Sequence, residues 1–165
     1  MVLPPPILVL TTGGTIDKLY FDALSQYKIG ESVVGRIFQL GRVTHPFRLV
    51  EVMRKDSLEL NDADRAMIAA AVAGADEARI VITHGTDTMT DTARTLSEIA
   101  GKTIVLVGAL SPARFSDSDA PFNLGMAFAT AQIAPPGVYI TMNGSVWSAR
   151  DVVKDRAKGA FVRKE

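Results

Sequence analysis

Two short turns carry the residues best suited to chemistry. One is Thr83-His84-Gly85-Thr86-Asp87-Thr88, which follows the apolar run Arg79-Ile80-Val81-Ile82 and precedes a helical pattern. The other is Thr12-Gly13-Gly14-Thr15-Ile16-Asp17, which follows Ile7-Leu8-Val9-Leu10. Aligned, both read Thr-x-Gly-Thr at the end of a hydrophobic strand. A parallel sheet would bring both turns to its carboxyl edge, where open α/β sheets keep their ligands. A threonine nucleophile needs a base or a depressed pKa, and backbone N–H groups to hold an oxyanion. Gly13, Gly14 and Gly85 let the backbone approach a substrate closely. Asp87 and a nearby lysine would complete a proton relay with Thr86. The competing reading of any one of these threonines is a helix cap or a local hydrogen bond.

Nucleotide binding is the other familiar use of a glycine-rich turn after a first strand. No Gly-Lys-Ser/Thr ending is present, and the first turn lacks the third glycine of a dinucleotide fingerprint. Asp17 would also repel a phosphate there.

The elements that must position these turns follow from hydropathy. Strand-like runs recur at Ile7–Leu10, Phe47–Met53, Arg79–Ile82, Thr103–Val107 and Val138–Met142. Helical patterns lie between them, at Glu31–Gly41, Asn61–Ala73, Thr88–Ala100 and Pro121–Ile133. Asn61 or Asp62 is an N-cap for the second, and Gly101 a C-cap for the third. Alternation of strand and helix predicts α/β: a three-layer Rossmann- or flavodoxin-like sheet of about five mainly parallel strands, with helices on both faces. Residues 17–30 fit neither period and read as a mobile loop or hairpin over the first turn. The charged end, 150–165, is expected to fray in its last few residues.

The chain of 165 residues reads as a single domain, 1–165, able to bury roughly 68–70% of its unfolded surface. Lysine plus arginine equals aspartate plus glutamate at 18 each, so there is no electrostatic footprint for nucleic acid or an anionic membrane. No cysteine is present, which excludes disulfides, thiolate metal sites and a cysteine nucleophile. His45 and His84 show no metal-ligand spacing, and neither a metal nor a cofactor is expected. No run reaches the ~18 apolar residues of a membrane span, and the amino end lacks the basic start of a signal peptide. A cytoplasmic location is expected.

These residues match a known pattern. Thr12-Gly13-Gly14-Thr15-Ile16, Thr83-His84-Gly85-Thr86-Asp87-Thr88-Met89 and Pro121-Phe122-Asn123-Leu124 resemble the bacterial-type L-asparaginases, in the right order. Val107-Gly108-Ala109 and Arg150-Asp151-Val152-Val153-Lys154 look like later motifs of that family. The resemblance runs from about Ile7 to Lys154 and covers the family's amino-terminal domain only. The expectation is a short form without the carboxy-terminal domain.

The resemblance implies hydrolysis of the side-chain amide of L-asparagine to L-aspartate and ammonia through an acyl-enzyme. By resemblance Thr15 is the nucleophile, assisted by a loop tyrosine. Ser25-Gln26-Tyr27 is similar to that segment and points to Tyr27, with Tyr20 close enough to compete. Thr86, Asp87 and Lys154 fall on a second catalytic group. Ser57 falls on the serine that holds the substrate α-carboxylate, and Asp87 also on the α-ammonium. Gly14 and Gly85 line the substrate. Asp87 alone, Glu59, or another acid would take the ammonium role that family members often assign to a neighbouring carboxy-terminal domain. Leu58, where many members have a polar residue, predicts weak affinity or a narrow side-chain preference. A homodimer or homotetramer is expected. A binding module without chemistry, a glutaminase, and an amidase for a related amide are the alternatives.

Overall fold

The computed structural model describes residues 3–21 and 26–164. Ser25, part of the tyrosine-bearing motif, and the terminal Glu165 lie outside the described residues.

Five parallel strands form most of the main sheet: β1 (Ile7–Gly13), β4 (Phe47–Lys55), β5 (Arg79–Thr83), β6 (Thr103–Val107) and β7 (Gly137–Met142). An antiparallel edge strand, β8 (Ser145–Ser148), completes the order β4-β1-β5-β6-β7-β8. β1, β5 and β6 are apolar on both faces because helices cover both sides, which is why they read as continuous apolar runs. Outside this sheet stand two hairpins, β2 (Lys18–Phe21) with β3 (Gln26–Ile29), and β9 (Val152–Asp155) with β10 (Ala160–Arg163).

Alternate residues divide the core into two layers. Leu8, Leu10, Ile80, Ile82 and Leu106 face helices α2 (Asp62–Ala73) and α3 (Met89–Leu96), where Ile68, Val72, Met89 and Leu96 meet them. Ile7, Val9, Val81 and Val105 face α1 (Val34–Leu40) and α4 (Ala120–Ile133), against Val34, Phe38, Leu124 and Phe128. The expected three-layer α/β architecture is therefore present, with the antiparallel β8 as an addition.

Helix ends follow local chemistry. Of the two N-cap candidates read in the sequence, Asn61 caps α2, and the structure adds a reciprocal capping box with Asp64. The helix after the second turn stops at Leu96, four residues before its predicted end. Ser97 turns its hydroxyl back onto the Ala93 carbonyl at 2.9 Å, and its amide closes a tighter turn onto Arg94. Gly101, with φ of 76°, belongs to the connection that follows rather than to the cap.

The charged carboxyl segment differs from the expected frayed end. β9 and β10 pair, and Val152 and Phe161 are each only 3% exposed within the α2/α3 layer. Asn143 accepts the Phe161 amide and fixes the hairpin to the β7–β8 turn. Among the described residues no helix is long and apolar enough to cross a membrane.

Candidate active site

Register decides where the turns emerge. Thr11 on β1 pairs with Thr83 on β5, so Thr12-Gly13-Gly14 and His84-Gly85-Thr86 leave the sheet at the same level. β1 also pairs with β4 up to Gly13 opposite Lys55, which sends Asp56-Ser57 out from the same edge. The chain reverses its direction of travel across the sheet between β1 and β5. In this strand order that is the switch point, the crevice where such sheets hold ligands.

Three backbones then press together. Gly14 has φ of +86°, and a Cβ there would strike the backbone nitrogen and Cα of Gly85. A Cβ on Gly85 would lie 2.5 Å from Ser57 Oγ and 2.6 Å from Ser57 Cβ. A Cβ on Gly13, φ +100°, would come within 2.6 Å of the Lys55 carbonyl oxygen. Glycine is thus required by contact at all three positions, and at Gly13 and Gly14 by conformation too. Hydrogen bonds hold the assembly. Thr12 Oγ1 donates to the Thr83 carbonyl at 2.8 Å, and the Gly14 amide to the Lys55 carbonyl at 3.0 Å. Thr88 Oγ1 donates to the Ser57 carbonyl at 2.8 Å. The threonines therefore divide: Thr12 and Thr88 bond to backbone, as the bland reading expects, while Thr15 and Thr86 do not.

Thr15 opens a single helical turn, Thr15–Asp17, and is partly exposed. Its hydroxyl has no hydrogen-bond partner among the described residues. Asp17, two residues on, is buried and accepts the Val33 amide at 3.0 Å; burial raises its pKa. It anchors the turn to the start of α1 and is not part of a charged group around Thr15.

Thr86, Asp87 and Lys154 lie in contact with one another. Lys154 Nζ lies 2.7 Å from Thr86 Oγ1 and 2.6 Å from Asp87 Oδ1. β9 supplies the lysine, so the buried Val152 and Phe161 on the hairpin are what deliver it. Lysine has donors only, so Thr86 Oγ1 accepts and keeps its own hydrogen to give elsewhere. Asp87 Oδ2 is unbonded among the described residues.

Ser57 is 1% exposed, at the start of a one-turn helix, Ser57–Glu59, capped by Asp56. Leu58 and Glu59 are exposed beside it. Lys18 pairs with Asp56 at 2.7 Å and ties the β2–β3 hairpin to this turn. The segment after the first turn is therefore a hairpin where it is described, with Tyr20 opposite Tyr27 and their rings 5.5 Å apart. Tyr27 is 53% exposed and also stacks edgewise near Phe115, at 6.4 Å. It lines a cavity of about 440 Å³ with Lys18, Arg54, Asp56, Leu58 and Glu59. That cavity touches the Ser57 turn but is not lined by Thr15. The structure thus brings Gly14, Gly85, Ser57, Thr86, Asp87 and Lys154 together and leaves Tyr27 on the hairpin above them.

Sequence reasoning missed the supports. Thr88 to Ser57 and Lys18 to Asp56 join segments far apart in the chain, Thr92 to His84 joins the second turn to α3, and no periodicity announces such pairs. His84 is wholly buried, and desolvation lowers its pKa to about 4, so it is neutral near pH 7. Among the described residues no cluster of three or more metal-ligating side chains occurs.

The family model "Asparaginase, N-terminal" matches residues 6–162. L-asparaginase 2 of Escherichia coli (strain K12) is 36% identical over 162 residues, covering 91% of this chain and 46% of that protein. The glutaminase-asparaginase of Pseudomonas fluorescens biotype A is 32% identical over 163 residues, covering 90% of this chain and 45% of that protein. The solved thermostable L-asparaginase from Thermococcus kodakarensis superposes with a TM-score of 0.82 at 30% identity, over 96% of this chain and 51% of that one. The chain spans about half the length of the curated relatives it matches.

Proposed function

Because this chain belongs to the asparaginase family, matched through that family's amino-terminal domain, we propose that it hydrolyses the side-chain amide of L-asparagine to L-aspartate and ammonia. The observation that carries the reading is the Thr86–Lys154–Asp87 cluster at the switch point, locked against the Gly14–Thr15 turn by contact between Gly14 and Gly85.

The reaction runs in two halves. Thr15 Oγ attacks the amide carbon, forming a C–O bond as the carbonyl π pair moves to oxygen. That pair returns as the C–N bond breaks, and the nitrogen leaves as ammonia with the hydroxyl proton and one it already carried on each remaining position. Water then attacks the resulting ester, restoring the Thr15 hydroxyl and releasing aspartate. Thr86, in contact with Lys154, passes the Thr15 proton to the departing nitrogen and later passes a proton from the incoming water back to Thr15. A hydroxyl that accepts from an amine and still holds its own hydrogen is suited to that task. Tyr27 on the hairpin is the assisting phenol, brought down by closure of the segment 17–30, which excludes water during acylation.

Substrate recognition uses charge at the other end. Ser57 Oγ bonds the α-carboxylate, and the unbonded Oδ2 of Asp87 takes the α-ammonium while Oδ1 holds Lys154. The exposed Leu58 adds no hydrogen bond, which favours a narrow preference for the shorter side chain.

A homo-oligomer accompanies this reading. Helix α4 carries no charged residue over its 14 positions and exposes Phe122 and Ile133. A helix apolar on every side calls for cover on its outer face. Light scattering should return a multiple of the 17.7 kDa chain, and a monomer alone would contradict the assembly.

Ammonia release should be measured from L-asparagine and L-glutamine in parallel. Release from asparagine with much slower release from glutamine supports the reading. Equal rates would remove the narrow preference. Calorimetric binding of asparagine without any ammonia would replace the enzyme by a binding module.

A further inference from the structure

His84 lies beneath the second turn, and no step of the proposed reaction uses it. Its Nδ1 is 2.7 Å from the Gly85 carbonyl oxygen, and its Nε2 is 2.8 Å from Thr92 Oγ1 on α3. Both partners are buried with it. Complete burial keeps the ring neutral near pH 7. A carbonyl oxygen only accepts, so the single ring hydrogen sits on Nδ1. Nε2 is then a bare acceptor, and the Thr92 hydroxyl donates to it. The Gly85 carbonyl therefore selects the tautomer, and the Thr92 hydroxyl, which can donate or accept, follows it and holds the ring from its other edge.

The consequence falls on the next peptide. The described chain has no cis peptide bond, so the Thr86 N–H points opposite to the Gly85 carbonyl. Drawing that carbonyl down onto the buried imidazole turns the Thr86 N–H away from it. This N–H donates to no group among the described residues. Gly85 itself is free to rotate except for this bond and its neighbours' contacts. Without the imidazole, the Gly85 carbonyl would lose its hydrogen-bond partner among the described residues.

We propose that Thr92 and His84 are positioning residues: the Thr92 hydroxyl holds the His84 ring in place, and His84 Nδ1–H fixes the Gly85–Thr86 peptide so that the Thr86 N–H faces the substrate amide oxygen. The inference rests on the amidohydrolase reading for its effect on rate, but the tautomer does not depend on that reading. A mis-aimed backbone donor acts on the transition state rather than on substrate binding. Its loss therefore appears in kcat and not in KM.

Thr92→Val removes the hydroxyl in a side chain of nearly the same shape and touches no substrate. Thr92→Ser restores it. Loss of one oxyanion donor costs roughly 10²–10³ in kcat, so partial misdirection in Thr92→Val should cost about tenfold or more, with KM within about threefold. Thr92→Ser should recover most of the rate. Ring ¹⁵N spectra of the wild-type chain should show His84 protonated on Nδ1 alone, and Thr92→Val should keep that tautomer while the Nε2 resonance shifts as its accepted hydrogen bond is lost. A role in packing alone would lower only the amount of folded enzyme, so that kcat per folded enzyme, counted by circular dichroism, stays within about twofold of wild type. Wild-type His84 protonated on Nε2, or Thr92→Val with kcat within twofold of wild type, would overturn the proposal. If the wild-type chain releases no ammonia, the amidohydrolase reading fails, and the ¹⁵N spectra decide on the Thr92–His84 lock by themselves.

Discussion

Lys154 reaches back across 68 positions of sequence to place its Nζ 2.7 Å from Thr86 Oγ1. The second contact of the same ammonium, 2.6 Å to Asp87 Oδ1, aims it. Lys154→Met keeps the length of the stem and removes the donors. It should lower kcat by roughly 10²–10³ with a smaller change in KM, since general acid–base assistance typically supplies 10²–10⁴. Steady-state kinetics on asparagine reads this directly; a loss below about threefold would remove the lysine from the reaction.

The contact between Gly14 and Gly85 admits no side chain. Gly14→Ala combines a positive φ with a collision against the Gly85 backbone. The expected cost is about 2 kcal/mol or more in stability, together with loss of activity. Gly101 also has a positive φ but no heavy atom within reach of an added Cβ. Gly101→Ala should therefore cost only about 1 kcal/mol and leave kcat unchanged. Urea unfolding of the two variants separates contact from conformation.

Ser57 is held by its backbone, through Thr88, and offers its hydroxyl freely. Ser57→Ala removes binding that substrate and transition state share. KM should rise about tenfold, with kcat within about threefold. A fall in kcat at constant KM would place Ser57 in the chemical step instead.

Neutral, buried His84 makes a statement about acid stability. Its folded pKa of about 4 lies below the ordinary 6.5, so the unfolded state binds the proton more readily. Stability from this group is complete above pH 6.5, falls as pH drops from 6.5 to about 4, and changes no further below that. The span corresponds to about 3 kcal/mol. The lowered carboxylates Asp64 and Glu77, each paired with a cation, add their own loss as pH falls below their ordinary values of 3.8 and 4.5, outside the pH 7 to 5 interval. Unfolding free energies measured at pH 7 and pH 5 should differ in wild type and much less in His84→Asn. An equal difference in both would contradict the assignment.

The parts of this fold that were legible in the sequence are those encoded locally. Apolar runs marked β1, β4, β5, β6 and β7, and the N-cap residue types Asn61 and Asp62 marked the start of α2. The two Thr-x-Gly-Thr turns were legible because strand ends and glycines are local signals, and the register of Thr11 with Thr83 put them side by side. The carboxyl hairpin was hidden by its composition. Its charged exterior masks two inward residues, Val152 and Phe161, that lie nine positions apart and make no period of their own. The β2–β3 hairpin was recognisable only as an irregular stretch, because its residues are mostly exposed and show no alternation of buried and solvated positions. The linkages Thr88–Ser57 and Lys18–Asp56 depend on tertiary contact alone.

The central claim is that Thr15 attacks the amide. Ammonia release from L-asparagine by the wild-type chain and by Thr15→Ala, at equal concentration and with matching circular dichroism, tests it most directly. The account predicts steady release by wild type and a loss of at least about 10³ in the variant, as befits removal of a nucleophile. Release by Thr15→Ala at more than a tenth of the wild-type rate would contradict it.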